Sequence, residues 1–248
     1  MLRPLILASA WAIAATPAAA EMLTPESIGR SVIEAANDFR AGAGLSRLSE
    51  NPALTSAAGA FAAYMARTDR FSHTADGRDT GERARAAGYQ YCELAENIAV
   101  EEGYSPERLA RVFMEGWEAS PGHRRNLLNP RVTETGVGVA SASGSIRRYF
   151  AVQVFGLPWT ARFSFRIENR SDQAVGYVLE GESRELPAHS IMVHTTCQAG
   201  DLTFVGAVIG PRRFAEEPGA TYLLSQATSG VQIDVQRPAQ PRGRKSQD

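Results

Sequence analysis

The chain has little of what metal sites and nucleophilic enzymes are usually built from: only two cysteines and four histidines in 248 residues. It has no His-Glu-x-x-His helix, no Gly-x-Ser-x-Gly turn and no phosphate loop, which argues against zinc peptidases of that type, α/β-hydrolases and P-loop enzymes. Gly136 and Gly138 lie in a strand pattern without the third glycine of a dinucleotide site. A formal net charge of -1 excludes a strong electrostatic attraction to nucleic acid, so we expect no nucleic-acid partner.

Long apolar runs are also scarce, and the longest one lies at the start. Arg3 precedes the apolar residues 5–15, and the alanines at 18–20 provide the small residues that signal peptidase needs. The run is shorter than the about 20 residues that cross a bilayer. We expect a signal peptide over residues 1–20, cleavage near Ala20, and a secreted or periplasmic mature chain with no transmembrane span. An uncleaved membrane anchor is the alternative.

The two cysteines, Cys92 and Cys197, favour one disulfide if the chain reaches an oxidising compartment. The bond would close a loop of about 105 residues and contribute up to roughly 4.7 kcal/mol in the chain-entropy model. The alternative is two separately buried thiols.

Four helix starts are predicted, because a hydroxyl or amide side chain stands directly before proline at Thr24-Pro25, Asn51-Pro52, Ser105-Pro106 and Ser120-Pro121. Apolar residues follow the first three pairs at helical spacing. They are Ile28, Val32, Ala35 and Phe39; Leu54, Ala58, Phe61 and Met65; and Leu109, Val112, Phe113 and Gly116, with Trp117 on the flank.

Strand patterns come after the helices. Alternation over residues 136–139 and 149–154 predicts a hairpin, so the first part of the chain is expected to be an α+β domain. Beyond Pro158, turn residues separate five short strand candidates, at 163–167, 175–179, 190–194, 202–208 and 231–235. These predict a small all-β domain, sandwich-like, over 160–236. The Pro-, Gln- and Arg-rich residues 237–248 are expected to be disordered.

Four motifs resemble the bacterial branch of the CAP superfamily, which includes cysteine-rich secretory proteins, venom antigens and pathogenesis-related (SCP-like) proteins. They are Phe-Ser-His at 71–73, Ala-Glu-Asn-Ile-Ala at 95–99, residues 116–130 and residues 136–140. The resemblance implies a three-layer α-β-α sandwich over residues 24–157. It implies no single activity, because the superfamily has no agreed one.

The resemblance also implies a cleft lined by two histidines and two acids, which binds a divalent metal in several members. His73, Glu96 and His123 match three of these positions. The fourth carries Ser120, so either Glu118 substitutes for the acid or the acid is missing. The expected ligand-binding cleft is therefore His73, Glu96, Glu118, Ser120 and His123.

Two imidazoles and a carboxylate suit zinc or another divalent metal with one open position, so His73, Glu96 and His123 are the candidate ligands. His123 falls in the first turn of the helix after Ser120, where the helix dipole disfavours imidazolium. In the alternative interpretation the cluster is structural. Glu96 then binds backbone N–H groups of the His123 segment, and Ser120 only caps the helix.

Three functions remain open at this point. The leading one is an exported binding module for a small apolar ligand, a lipid or a cell-envelope fragment, with or without a metal and with no catalytic residue assigned. The second is a metal-dependent hydrolase, a peptidase or envelope hydrolase, with Glu96 as base or ligand. The third is a structural envelope protein.

Overall fold

The computed structural model describes residues 23–144, 146–206 and 211–239. The predicted signal peptide and the tail from residue 240 lie outside the described residues. The first half contains five helices and four strands: α1 (Pro25–Gly42), β1 (Ser49–Glu50), α2 (Pro52–Thr68), α3 (Thr80–Ala86), β2 (Tyr91–Glu102), α4 (Pro106–Ala119), α5 (Pro121–Leu127), β3 (Glu134–Ala142) and β4 (Arg148–Pro158).

All four predicted proline pairs begin helices. Thr24 and Asn51 accept hydrogen bonds from backbone N–H groups of the first turn of α1 and α2. Ser105 and Ser120 occupy the same position before α4 and α5, but their side chains make no capping bond. Ser120 therefore occupies the predicted N-cap position, but its side chain does not make the capping hydrogen bond.

The first half is a three-layer α-β-α sandwich, as predicted. Its sheet has the order β1-β3-β4-β2, in which β3 and β4 form the predicted antiparallel hairpin. Helices α1 and α4 pack on one face, and α2 packs on the other. The core on the first face includes Ile28, Val32, Leu109, Phe113, Trp117, Val137 and Val139. The core on the second face includes Leu54, Phe61, Met65, Ile98, Phe150 and Val152.

One predicted helix stripe needs correction. Gly116 is exposed, whereas Trp117, placed on the flank by the sequence pattern, is 1% exposed and stacks against Phe113. The indole Nε1 donates a hydrogen bond to the Ile98 carbonyl of β2, 3.1 Å away. The helical face of α4 is thus rotated so that its largest side chain enters the core.

Glycine is required where β3 crosses α2. A Cβ atom on Gly138 would lie 2.2 Å from the backbone nitrogen of Gly59. We expect Gly138→Ala to lower the free energy of unfolding by about 1–3 kcal/mol or more through overpacking. Gly116→Ala is the matched control, since a Cβ there meets nothing within 4 Å and alanine favours a helix. Urea denaturation should show opposite signs for the two variants, and equal midpoints would contradict the close packing.

The second half consists of strands after a short 3₁₀ turn at Trp159–Ala161. The strands are β5 (Phe163–Asn169), β6 (Val175–Leu179), β7 (Glu182–Leu186), β8 (Ser190–Thr196), β9 (Asp201–Val205), β10 (Arg212–Ala215), β11 (Thr221–Ala227) and β12 (Gly230–Gln236). They form two sheets, β10-β9-β6-β7 and β12-β11-β5-β8, around a shared apolar core. All five predicted strands are present, and β7, β10 and β11 were missed. The end of the candidate 202–208 lies partly outside the described residues.

The predicted disulfide joins Cys92 on β2 to Cys197 after β8, with 5.5 Å between the Cα atoms. Gln198 beside it donates a hydrogen bond to Glu93, at 2.6 Å. Arg237 pairs with Glu217, and disorder of the tail over residues 237–248 stays a prediction. A boundary between independently folding units near Pro158 stays a prediction. Across the described ranges, no helix combines the length and apolarity needed to cross a membrane.

Candidate functional site

Glu96 is the centre of the candidate site. Glu96 lies in β2, and its side chain is only 3% exposed. One carboxylate oxygen, Oε1, is 2.8 Å from Nδ1 of His73, and the other, Oε2, accepts a 2.7 Å hydrogen bond from Arg83. Both oxygens of this buried carboxylate therefore have partners.

Arg83 is a site residue that the sequence reading missed. It lies on α3 with 6% of its side chain exposed, and its guanidinium stacks over the Phe61 ring at 3.6 Å. Besides Glu96 it bonds to Asp76 at 3.0 Å and to the carbonyls of Arg78 and His73, at 2.8 and 3.0 Å. One buried guanidinium thus fixes both the carboxylate and the loop that carries His73.

His73 extends from this buried pair towards solvent, since its side chain is 54% exposed. The Glu96 carboxylate accepts a hydrogen bond from Nδ1–H, so the neutral form of the ring has its lone pair on Nε2. The histidine is therefore held at one nitrogen and open at the other.

His123 is joined to the same strand through the helix that carries it. Asn97 donates to the His123 carbonyl at 3.2 Å, and Asn126 donates to the Glu96 carbonyl at 3.1 Å and to the Asn97 side chain at 2.9 Å. These bonds fasten α5 to β2. Burial lowers the pKa of His123 below its ordinary value, and the nearby His73 lowers it further. The lowered pKa favours the neutral form of the His123 imidazole.

Hydrogen bonds join the side chains of His73, Glu96 and Arg83, whereas His123 is linked to β2 through its backbone carbonyl. A site shared by His73, Glu96 and His123 stays a prediction. Among the described residues, no hydrogen bond or ion pair connects Glu118 or Ser120 to these side chains. The alternative role for Glu96 is wrong in one respect. Its carboxylate binds Arg83 and His73, and it is the Glu96 backbone carbonyl that meets the His123 segment, through Asn126.

The expected three-ligand metal set does not fit this arrangement. Both Glu96 oxygens are committed, and in the parts of the chain that the structure describes no group of three or more His, Cys, Asp or Glu side chains could hold a metal ion. The donors left are the two imidazoles. Metal binding by that pair stays a prediction.

The other two histidines, His189 and His194, lie in the second half of the chain. His194 is buried on β8, and its Nε2 lies 3.1 Å from the Tyr177 hydroxyl. Burial lowers the pKa of His194, and Arg184 lowers it further. His189 is exposed and pairs with Asp172 at 3.0 Å.

Residues 33–155 match the model of the cysteine-rich secretory protein family, CAP, and through them the chain belongs to this family. No curated protein matches the chain significantly.

Several solved structures are similar to the same part of the chain. An outer surface protein from Borrelia burgdorferi is 17% identical, with a TM-score of 0.44, over 55% of this chain and 96% of that one. An extracellular SCP-domain protein from Bacillus anthracis is 25% identical, with a TM-score of 0.45, over 54% and 44%. A cysteine-rich secretory protein from Staphylococcus aureus is 20% identical, with a TM-score of 0.40, over 55% and 40%. The chain thus matches less than half the length of the latter two proteins.

The coupling between the two imidazoles can be measured. His73→Gln removes the nearby imidazole, whose protonated form lowers the pKa of His123. We therefore expect the pKa of His123 to rise towards its ordinary value while burial still holds it below. Because the folded pKa is lowered, the unfolded chain binds more protons as the pH falls below about 6.5, and His123 then reduces stability. Histidine NMR titration of both proteins gives the shift directly. An unchanged His123 pKa would place the two rings too far apart to act together.

Proposed function

We propose that the protein is an exported binding module that takes a small lipid or cell-envelope fragment at the His73–His123 site. Membership of a family of secretory proteins supports export. The disulfide supports it as well, because such bonds persist in oxidising compartments outside the cytoplasm.

The observation that carries the proposal is the engagement of Glu96. A general base for hydrolysis needs an oxygen within reach of water or substrate. Both Glu96 oxygens are instead bonded to Arg83 and His73 beneath the surface. The carboxylate therefore acts as a support that orients His73, and the site presents two imidazole acceptors without an available carboxylate base.

An imidazole nitrogen with a free lone pair accepts hydrogen bonds, so the polar part of the ligand is expected to be a hydrogen-bond donor such as a hydroxyl group. A groove of about 690 Å³ lies between β2 and α5. Its lining includes Ala95 and Arg124, the sequence neighbours of Glu96 and His123, but neither histidine. Its walls combine apolar Leu94 and Leu128 with the guanidinium groups of Arg124 and Arg125. This combination suits a lipid or envelope fragment that carries both apolar and anionic groups.

The test is equilibrium binding of two probes, phosphatidylglycerol vesicles and purified peptidoglycan fragments, to the wild type, His73→Gln and His189→Gln. His189 is the matched control, because it is an exposed histidine paired with a carboxylate far from the site in sequence. We expect one probe to bind, and His73→Gln to weaken it at least tenfold while His189→Gln has no effect. Equal binding by all three proteins would contradict the proposal.

The metal-dependent hydrolase is the second candidate, favoured by the influence of His73 on the pKa of His123, which places a second histidine near the first. Elemental analysis of protein purified without chelator separates the two functions. Stoichiometric zinc that is lost in His73→Gln, together with release of smaller products from either probe, would favour the hydrolase. Binding without zinc or product release is the result that we expect.

A further inference from the structure

A second pocket lies in the β-rich half of the chain, away from the histidines. It has a volume of about 630 Å³ and is bordered by Trp159, by the strand ends around Glu180 and Asp201, and by the segment that contains the disulfide half Cys197. Nothing in the proposed function uses this pocket.

Glu216 lines this pocket and has a buried carboxylate without a hydrogen-bond partner among the described residues. The residue is 2% exposed, yet neither carboxylate oxygen has a hydrogen-bond partner among the described residues. A buried carboxylate without donors is costly, so such a group points to an absent partner. The side chain is directed at Gly200 on the same wall, where a Cβ atom would lie 3.0 Å from Glu216 Oε1. Glycine at position 200 leaves room for the carboxylate, and both carboxylate oxygens are buried in the pocket wall.

The surrounding charges are mostly of one sign. Glu180 is exposed and receives only a 3.5 Å bond from Thr196, while Asp201 pairs with Arg213. Burial raises the pKa of Glu216, the Gly200 backbone lowers it, and the charges of Glu180 and Asp201 raise it again. A positive group in the pocket would relieve this repulsion and supply the missing donors.

The cation is expected to be organic. The described carboxylates do not form a group of three that could hold a metal ion. Guanidinium and ammonium groups carry several N–H donors, and aromatic faces attract them. Trp159 is 41% exposed at the pocket, and the guanidinium of Arg162 already lies 4.2 Å from its ring centroid.

We propose that this pocket binds a guanidinium or ammonium group, with Glu216 and Glu180 as its acceptors. The group could belong to a basic side chain of a protein partner or to a free amine. The proposal goes beyond the function assigned to the His73–His123 site and is independent of it.

The test is an NMR titration of the intact mature protein, followed at the Gly200 and Asp201 amides. N-acetyl-arginine amide is the cationic probe, and N-acetyl-citrulline amide is its neutral analogue of nearly the same shape. We expect saturable shifts with the arginine probe and binding at least tenfold weaker with citrulline. A basic tripeptide that binds more tightly than agmatine would indicate a protein partner, and the reverse would indicate a free amine; either supports the cation site.

Variants identify the acceptor. Glu216→Gln should weaken the arginine probe at least tenfold, and Glu180→Gln, on the surface, severalfold. Glu185→Gln is the control, since it removes the same charge from an exposed position of β7. If Glu216→Gln does not fold, Glu180→Gln alone decides. Equal binding of both probes, no effect of these variants, or tighter binding of Ca²⁺ than of the arginine probe would overturn the proposal.

Discussion

Arg83→Ala is expected to destabilise the CAP domain by about 3–5 kcal/mol, because it leaves the Glu96 carboxylate charged and buried without its main partner. The variant also removes the donors that hold the His73 loop. Chemical denaturation followed by circular dichroism measures the loss in free energy of unfolding.

The matched control is Arg85→Ala, on the same helix. Arg85 is exposed and contacts only Tyr91 among the described residues, so its loss should cost less than about 1 kcal/mol. The double variant Arg83→Met/Glu96→Leu should recover much of the stability, since replacing both members of a buried pair is often neutral. Equal effects of Arg83→Ala and Arg85→Ala would contradict the buried ion pair.

The second large effect concerns the disulfide. Replacing Cys92 and Cys197 with serine opens a loop of 105 residues, and removal of such a bond costs about 2–5 kcal/mol. Dithiothreitol should lower the urea midpoint of the wild type towards that of the double variant. The midpoint of the double variant should not change with the reductant.

The same bond predicts the outcome of limited proteolysis. Cleavage at the turn over Trp159–Ala161, where Trp159 is 41% exposed, should give two fragments that separate only after reduction. Fragments that separate without reductant would show that the cysteines are not paired in the exported protein.

The local signals that the sequence carries most clearly were read correctly. Proline after Thr24 or Asn51 predicts a helix start from neighbouring residues alone. Apolar residues at helical spacing place Leu54, Phe61 and Met65 in the core. The pairing of His73 with Glu96 was accessible through the family motifs alone, because 23 residues separate the two.

What was missed depends on contacts between distant residues. Arg83 lies in a helix of seven residues, where an arginine usually faces solvent. Only the fold shows that its guanidinium donates a hydrogen bond to Glu96. Strand β2 was missed because both of its faces are covered by helices, so its sequence does not alternate. Strand β10 was missed because it begins with Arg212 and Arg213, which do not fit the apolar alternation of a strand.

The position of the proton between His73 and Glu96 decides which nitrogen of His73 is open to a ligand. Long-range ¹H–¹⁵N NMR of the imidazole rings reports which nitrogen carries it. Near pH 8 we expect His73 to hold its proton on Nδ1 and a lone pair on Nε2, and Glu96→Leu to abolish this preference. A proton on Nε2 in the wild type, or the same tautomer in Glu96→Leu, would contradict the role of the buried Arg83–Glu96 pair in presenting His73 to a ligand.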